Sequence, residues 1–363
     1  MKIHKTGVWA AAIVLGMGLA SCSQGGTSGG GAASPADSAA AAACALATAE
    51  DPGNAPAPTN VPTADNAPAL EQKDTYNVAF SQNASNNPWR LAETASMQET
   101  ADSLGYQMTV TDANNDQAKQ IQDVRSLIAQ NPDMLFIAPM TEQMAPVVVE
   151  AAEADIPVVL LDRQVDESVA IPGTHFVTVI SSDFVQEGKR AAVQMARATG
   201  GNAKIIELEG TTGSSPANDR KKGFDEMIAE CDGMEIVASQ DADFTRNKGQ
   251  QVTETLLQAH PDVNAIYAHN DEMALGAIAA IKAAGKVPGE DIFVVSVDGS
   301  KEAVQAIIDG DLYASVQCNP EFGPAAFDVM QRYAAGEAIP TAIINEDIVY
   351  TADNAEAELA NAF

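Results

Sequence analysis

The run Val158-Val159-Leu160-Leu161, entered through Ile156-Pro157 and closed by Asp162-Arg163, limits the architecture more than any other stretch. Four successive apolar residues leave no polar face for solvent, so the strand must be covered on both sides, as in parallel sheets flanked by helices. At its end an acceptor-only carboxylate stands beside a five-donor guanidinium, at the edge where open α/β sheets hold ligands. The same rhythm runs along the chain. Strands are expected at 76–80, 107–111, 134–138 and 176–180, with helices opening at Trp89, Gln117, Met144 and Val185. After Gly200-Gly201 come strands at 203–208, 235–239, 263–268 and 292–297, helices after Asp219 and over 247–259 and 271–284, and shorter elements to Val349. Such alternation implies parallel sheets with right-handed crossovers. The segment 127–138 is echoed by 256–268, each a helix end, a Pro-Asp turn and a buried strand, so two like-built doubly wound lobes are expected.

About seventy residues precede this pattern. Lys2 and Lys5, the apolar run Val8 to Leu19 and then Leu19-Ala20-Ser21-Cys22 form an export signal over residues 1–22. It resembles the lipobox of bacterial lipoproteins, which implies a diacylglycerol on Cys22 and a mature protein exported and held at the outer face of the membrane, or in the periplasm of a Gram-negative envelope. Residues 23–74 are Gly, Ala, Ser, Pro and Asn with little to bury, and read as a disordered tether. Against 20 Lys and Arg stand 50 Asp and Glu, a formal charge of −30, which repels phosphate backbones and anionic headgroups. Nucleic acid is therefore excluded as a partner, and any membrane attachment is left to the lipid. With Cys44, Cys231 and Cys318 far apart, the fold is expected to be held by its core without a disulfide framework. No Cys or His spacing suggests a metal, and no cofactor motif appears.

Five strand ends carry polar or aromatic clusters: Asn86-Asn87-Pro88-Trp89-Arg90, Asp162-Arg163, Ser214 to Arg220, His269-Asn270-Asp271 and Asp298-Gly299. Carboxylates, guanidiniums and amides bind vicinal hydroxyls in pairs, and an aromatic face covers the apolar side of a sugar ring. A nucleophile with its base is missing, so binding is favoured over catalysis; an exported sugar-active enzyme using Asp162 and Asp298 is the weaker alternative.

On these residues the chain resembles the ribose-type (class I) periplasmic sugar-binding proteins of ABC transporters, and among them the galactofuranose binders. The matching passages are Trp89 to Thr94, Leu160 to Arg163, Asn218 to Phe224, Asp243 to Arg246 and Tyr267 to Met273. The resemblance implies sugar contacts at Asn86, Asn87, Trp89, Arg90, Asp162, Arg163, Arg220, Asn270 and Asp298, with Phe244 as a further aromatic. Asp271 is expected only to cap a helix. Cys318 departs from the family, standing where ribose binders place a glutamine. The resemblance further implies two lobes, 75–182 plus 319–345 and 183–318 plus 346–363, joined by three hinge strands and closing as a monomer on a monosaccharide such as galactofuranose or fructose. Its partner would be an ABC permease; the alternative is a sugar-sensing partner of a chemoreceptor or sensor kinase.

Overall fold

The computed structural model describes residues 44–56 and 61–363, so Cys22 and the export signal lie outside the described residues. Among the described residues no helix is long and apolar enough to cross a membrane.

The first half of the chain runs β1 (Asn77–Gln82), α1 (Pro88–Leu104), β2 (Gln107–Asp112), α2 (Gln117–Ile128), β3 (Met134–Ile137), α3 (Ala145–Glu153), β4 (Val158–Leu161) and β5 (Thr178–Ser181). The second continues with α4 (Phe184–Thr199), β6 (Ala203–Glu209), α5 (Ser215–Ile228), β7 (Met234–Asp241), α6 (Arg246–Ala259), β8 (Ala265–Ala268), α7 (Asp271–Ala283), β9 (Phe293–Asp298), α8 (Lys301–Ile308) and β10 (Ala314–Gln317). Then α9 (Gly323–Ala334), β11 (Ala342–Ile344) and β12 (Val349–Thr351) follow. Two six-stranded sheets result, ordered β11-β5-β4-β3-β1-β2 and β12-β10-β9-β8-β6-β7. All pairings are parallel except β10 with β12.

The two orders are the same path laid out twice, and the echoed segments fall on α2–β3 and α6–β8, which hold equivalent places. Val158 to Leu161 are each fully buried, as the unbroken apolar run requires. Because β11 joins the first sheet and β10 and β12 the second, the chain passes between sheets three times: after β5, after β10 and between β11 and β12.

Helices begin where the sequence supplies caps. Asn87, Asp116, Asp183 and Ser300 each accept a backbone N–H of the following turn. Helices α4 and α5 approach closely because both contact residues lack a side chain: a Cβ on Gly188 would lie 2.1 Å from the Arg220 carbonyl oxygen, and one on Gly223 2.0 Å from that of Val185. This approach lets Glu187 of α4 reach Arg220 of α5.

The tether expectation needs correction. From Cys44 onward the described part of 23–74 is packed on the folded body. Cys44 is disulfide-bonded to Cys231, and Leu46 and Leu70 are buried. Asp51 pairs with Arg190 at 2.8 Å, and Asn54 exchanges hydrogen bonds with the Asp347 backbone. Further on, Thr341 N–H donates to Pro62, and Ala64 N–H to Ile339. Composition misled because a few apolar residues and one cysteine suffice when a formed surface receives them, and that surface is invisible locally. The fold thus does carry one disulfide, closing a separation of 187 residues.

Candidate sugar-binding cleft

The polar strand ends meet. Asn87, Trp89, Arg90, Asp162, Arg163, Arg220, Phe244, Asn270 and Asp298 line one space, together with Pro216 and Cys318. Asn86 is the exception: it is exposed, beside Asn87, whose amide it accepts at 3.2 Å.

From the first sheet, the loop after β1 delivers Asn87, whose side chain caps α1 by accepting Arg90 N–H at 2.9 Å. The first turn of α1 therefore points Trp89 and Arg90 inward, both buried. Trp89 donates its indole N–H to the Cys318 carbonyl at 2.7 Å, which ties α1 to the segment after β10. The Arg90 guanidinium lies 4.5 Å from the Trp89 ring centre and is bonded to Glu93 at 2.8 Å and Asp162 at 2.5 Å. Burial works against its charge, but Asp162 and Glu93 outweigh it and keep it protonated. Asp162 sits just past β4 with φ 62°, a left-handed conformation an aspartate tolerates better than most residues. Its neighbour Arg163 is less well served. One nitrogen donates to the Met140 carbonyl at 2.7 Å, yet buried Nε has no hydrogen-bond partner, although Asp162 lies 3.4 Å away. Burial first, and then the nearby Arg90, push this guanidinium down to about 9.

From the second sheet, Arg220 donates Nε–H to Glu187 at 2.7 Å and Nη1–H to the His269 carbonyl at 2.6 Å. Its Nη2 lies 3.8 Å from Asp298, at the end of β9. Burial pushes the Asp298 carboxyl well above the usual range, with Arg220 pulling the other way. Asp298 has φ 130°, and Phe244 has φ 56°. Such backbones persist only where the surroundings hold them, and they gather at ligand sites. Asn270, after β8, turns its amide nitrogen to the Phe244 carbonyl at 3.3 Å and caps α7 through Met273 N–H at 3.0 Å.

Asn270 is thus the cap that was expected at Asp271. Asp271 instead is fully buried, accepting the hydroxyls of Ser296, Ser300 and Ser315 at 2.6 to 2.9 Å and Ser300 N–H at 2.7 Å. Ser315 in turn receives Gly299 N–H at 3.0 Å, so this network fastens the turn that carries Asp298. Two further acids were missed. Glu93 stands one helical turn from Arg90, a spacing that announces a pair. Glu187 lies 33 residues from Arg220, and no local signal joins them.

The Periplasmic binding protein domain matches residues 78–338. The chain belongs to the periplasmic binding protein family. Over 288 residues it is 38% identical to the galactofuranose-binding protein YtfQ of Escherichia coli (strain K12), covering 78% of this chain and 90% of that one. It resembles the binding component of the arabinose ABC transporter from Shewanella sp. ANA-3, solved with α- and β-L-arabinofuranose, with 40% identity and a TM-score of 0.74 over 78% of this chain and 95% of that one. A Mycobacterium smegmatis structure in complex with β-D-fucofuranose matches with 40% identity and a TM-score of 0.75, over 78% and 94%. The resemblance drawn from the matching passages therefore holds, and with it the two-lobed α/β fold. The matched relatives are binding proteins and not enzymes.

Proposed function

We propose that this protein is the substrate-binding subunit of an ABC importer, holding one monosaccharide in furanose form between two closing lobes. The observation that carries it is the convergence of nine side chains, from segments that follow strands of both sheets, on one space. Its donors and acceptors suit vicinal hydroxyls: Arg163 Nε lacks an acceptor, and no side-chain hydrogen bond reaches the Asp298 carboxylate from the described residues. Two of the matched structures hold furanoses.

The hinge would lie at the three crossings, near Ser182-Asp183, Cys318-Asn319 and Asn345-Glu346, and sugar bonded to both lobes would favour the closed form by its differential affinity. Lipidation at Cys22 would hold the protein at the membrane beside its permease. The test is calorimetry of the protein lacking residues 1–22 against L-arabinose, D-galactose, D-fucose, D-fructose and D-ribose. Keeping everything from residue 23 preserves the Cys44–Cys231 link. Micromolar or tighter binding of a furanose-forming sugar is expected; a flat response to every sugar would refute the reading. Membrane retention of a Cys22→Ser variant would refute the anchor.

A further inference from the structure

We propose that His269 is a positioning residue of the sugar site, setting the places of Phe244 and Arg220 on the second lobe. This rests on the cleft being a sugar site, but His269 itself does not line it. The residue follows β8 directly, and its side chain is fully buried. Its Nδ1 faces the backbone N–H of Gly210 at 3.3 Å. An amide N–H can only donate, so Nδ1 must be the lone-pair nitrogen and Nε2 carries the proton. Nε2 meets Glu207 Oε1 at 3.1 Å, while Lys221 and Ser239 hold Oε2. Burial alone would raise the Glu207 carboxyl, but the bonds from His269, Lys221 and Ser239 bring it down to about 2, so it accepts as a carboxylate. One tautomer of His269 is therefore fixed from both sides.

Two routes lead from this imidazole to the cleft. A Cβ on Gly210 would lie 1.9 Å from Cζ of Phe244, so the phenyl ring rests on the Gly210 backbone. Whatever fixes that backbone fixes the ring, and Phe244 needs such support because its left-handed φ is costly for an aromatic residue. The second route is the His269 carbonyl, which receives Arg220 at 2.6 Å. An apolar side chain of similar size would fill the space, but it would leave the Gly210 N–H and the Glu207 carboxylate each short of a partner.

Two substitutions separate the roles of the ring nitrogens. His269→Asn keeps an acceptor near the Nδ1 position and does not reach Glu207, whereas His269→Gln keeps a donor for Glu207 and gives Gly210 nothing. Calorimetry with the same five sugars and melting without sugar are to be run on wild type and both variants. For the sugar that wild type binds, His269→Gln is expected to weaken binding at least about tenfold and His269→Asn by less than about threefold, with similar melting temperatures for the two. Equal affinities, or affinity losses that simply follow melting temperature, would overturn the positioning role and leave the sugar site standing. Failure of wild type to bind any of the five would overturn the sugar-site reading, and this inference with it. Should either variant not fold, nitrogen-15 histidine spectra of the wild type decide: a protonated Nδ1 in His269 overturns the proposal, and a bare Nδ1 beside a protonated Nε2 supports it.

Discussion

Replacing Asp162 by alanine tests the cleft most directly. Its carboxylate is almost fully buried between two guanidiniums, bonded to Arg90 at 2.5 Å and 3.4 Å from Arg163 Nε. Removing one partner of a buried ion pair costs about 3–5 kcal/mol, and the lower part of that range applies here because Arg90 keeps Glu93 at 2.8 Å while Arg163 loses its neighbouring carboxylate. In an open cleft water would reach both guanidiniums, so the cost falls on the closed, sugar-bound form. At about 1.4 kcal/mol per tenfold, Asp162→Ala should weaken sugar binding about 100- to 1000-fold or more. Asp162→Asn, which still offers one acceptor oxygen to Arg90, should lose less. The assay pairs calorimetry with melting of the unliganded protein, which should shift by only a few degrees, at about 2–4 °C per kcal/mol for domains of this size. Unchanged affinity, or an equal loss of stability with and without sugar, would refute the reasoning.

Other outcomes are equally open to measurement. Substituting Cys44 and Cys231 by serine releases a link across 187 residues, worth about 5 kcal/mol by loop entropy, and should lower the melting temperature by roughly 10–20 °C; an unchanged value would deny the bond a role. Trp89 is the sole tryptophan once the segment holding Trp9 is removed, and its emission should change when a sugar binds; constant emission during binding seen by calorimetry would place the ring outside the site. Burial raises Glu187 to about 8 and Asp347 to about 6, so the folded chain keeps protons that the unfolded chain releases. The contribution of these two carboxyls should be full below about pH 3.8 and be lost as pH rises through 6 and 8, and Glu187→Gln should flatten the upper part; an unaltered melting profile in that variant would refute the assignment.

Much of this was legible in order along the chain. The unbroken apolar run 158–161 required a strand covered on both faces, and the echo of 127–138 in 256–268 marked equivalent places in two sheets. Hydrophobic periodicity is local, and so are caps and turns. Asn87, Trp89, Arg90, Asp162, Arg163, Asn270 and Asp298 line the cleft from loops and helix starts that follow strands, where a parallel sheet opens its edge, whereas Arg220 lies inside α5 and Phe244 was named only by resemblance. Asn86 is exposed beside this lining because adjacent loop residues point in different directions, which pattern does not record.

What sequence alone determined, then, was the alternation, the doubling of the lobe and the polar chemistry of the strand ends. Only the tertiary structure decided which groups answer one another: Arg220 with Glu187, the serines with Asp271, Cys44 with Cys231. Those partners lie 25 to 187 residues apart, and their pairing is fixed by how finished helices and sheets pack. The same reason explains the segment from Cys44: its few apolar contacts stabilise it only against a surface that the rest of the chain must first build.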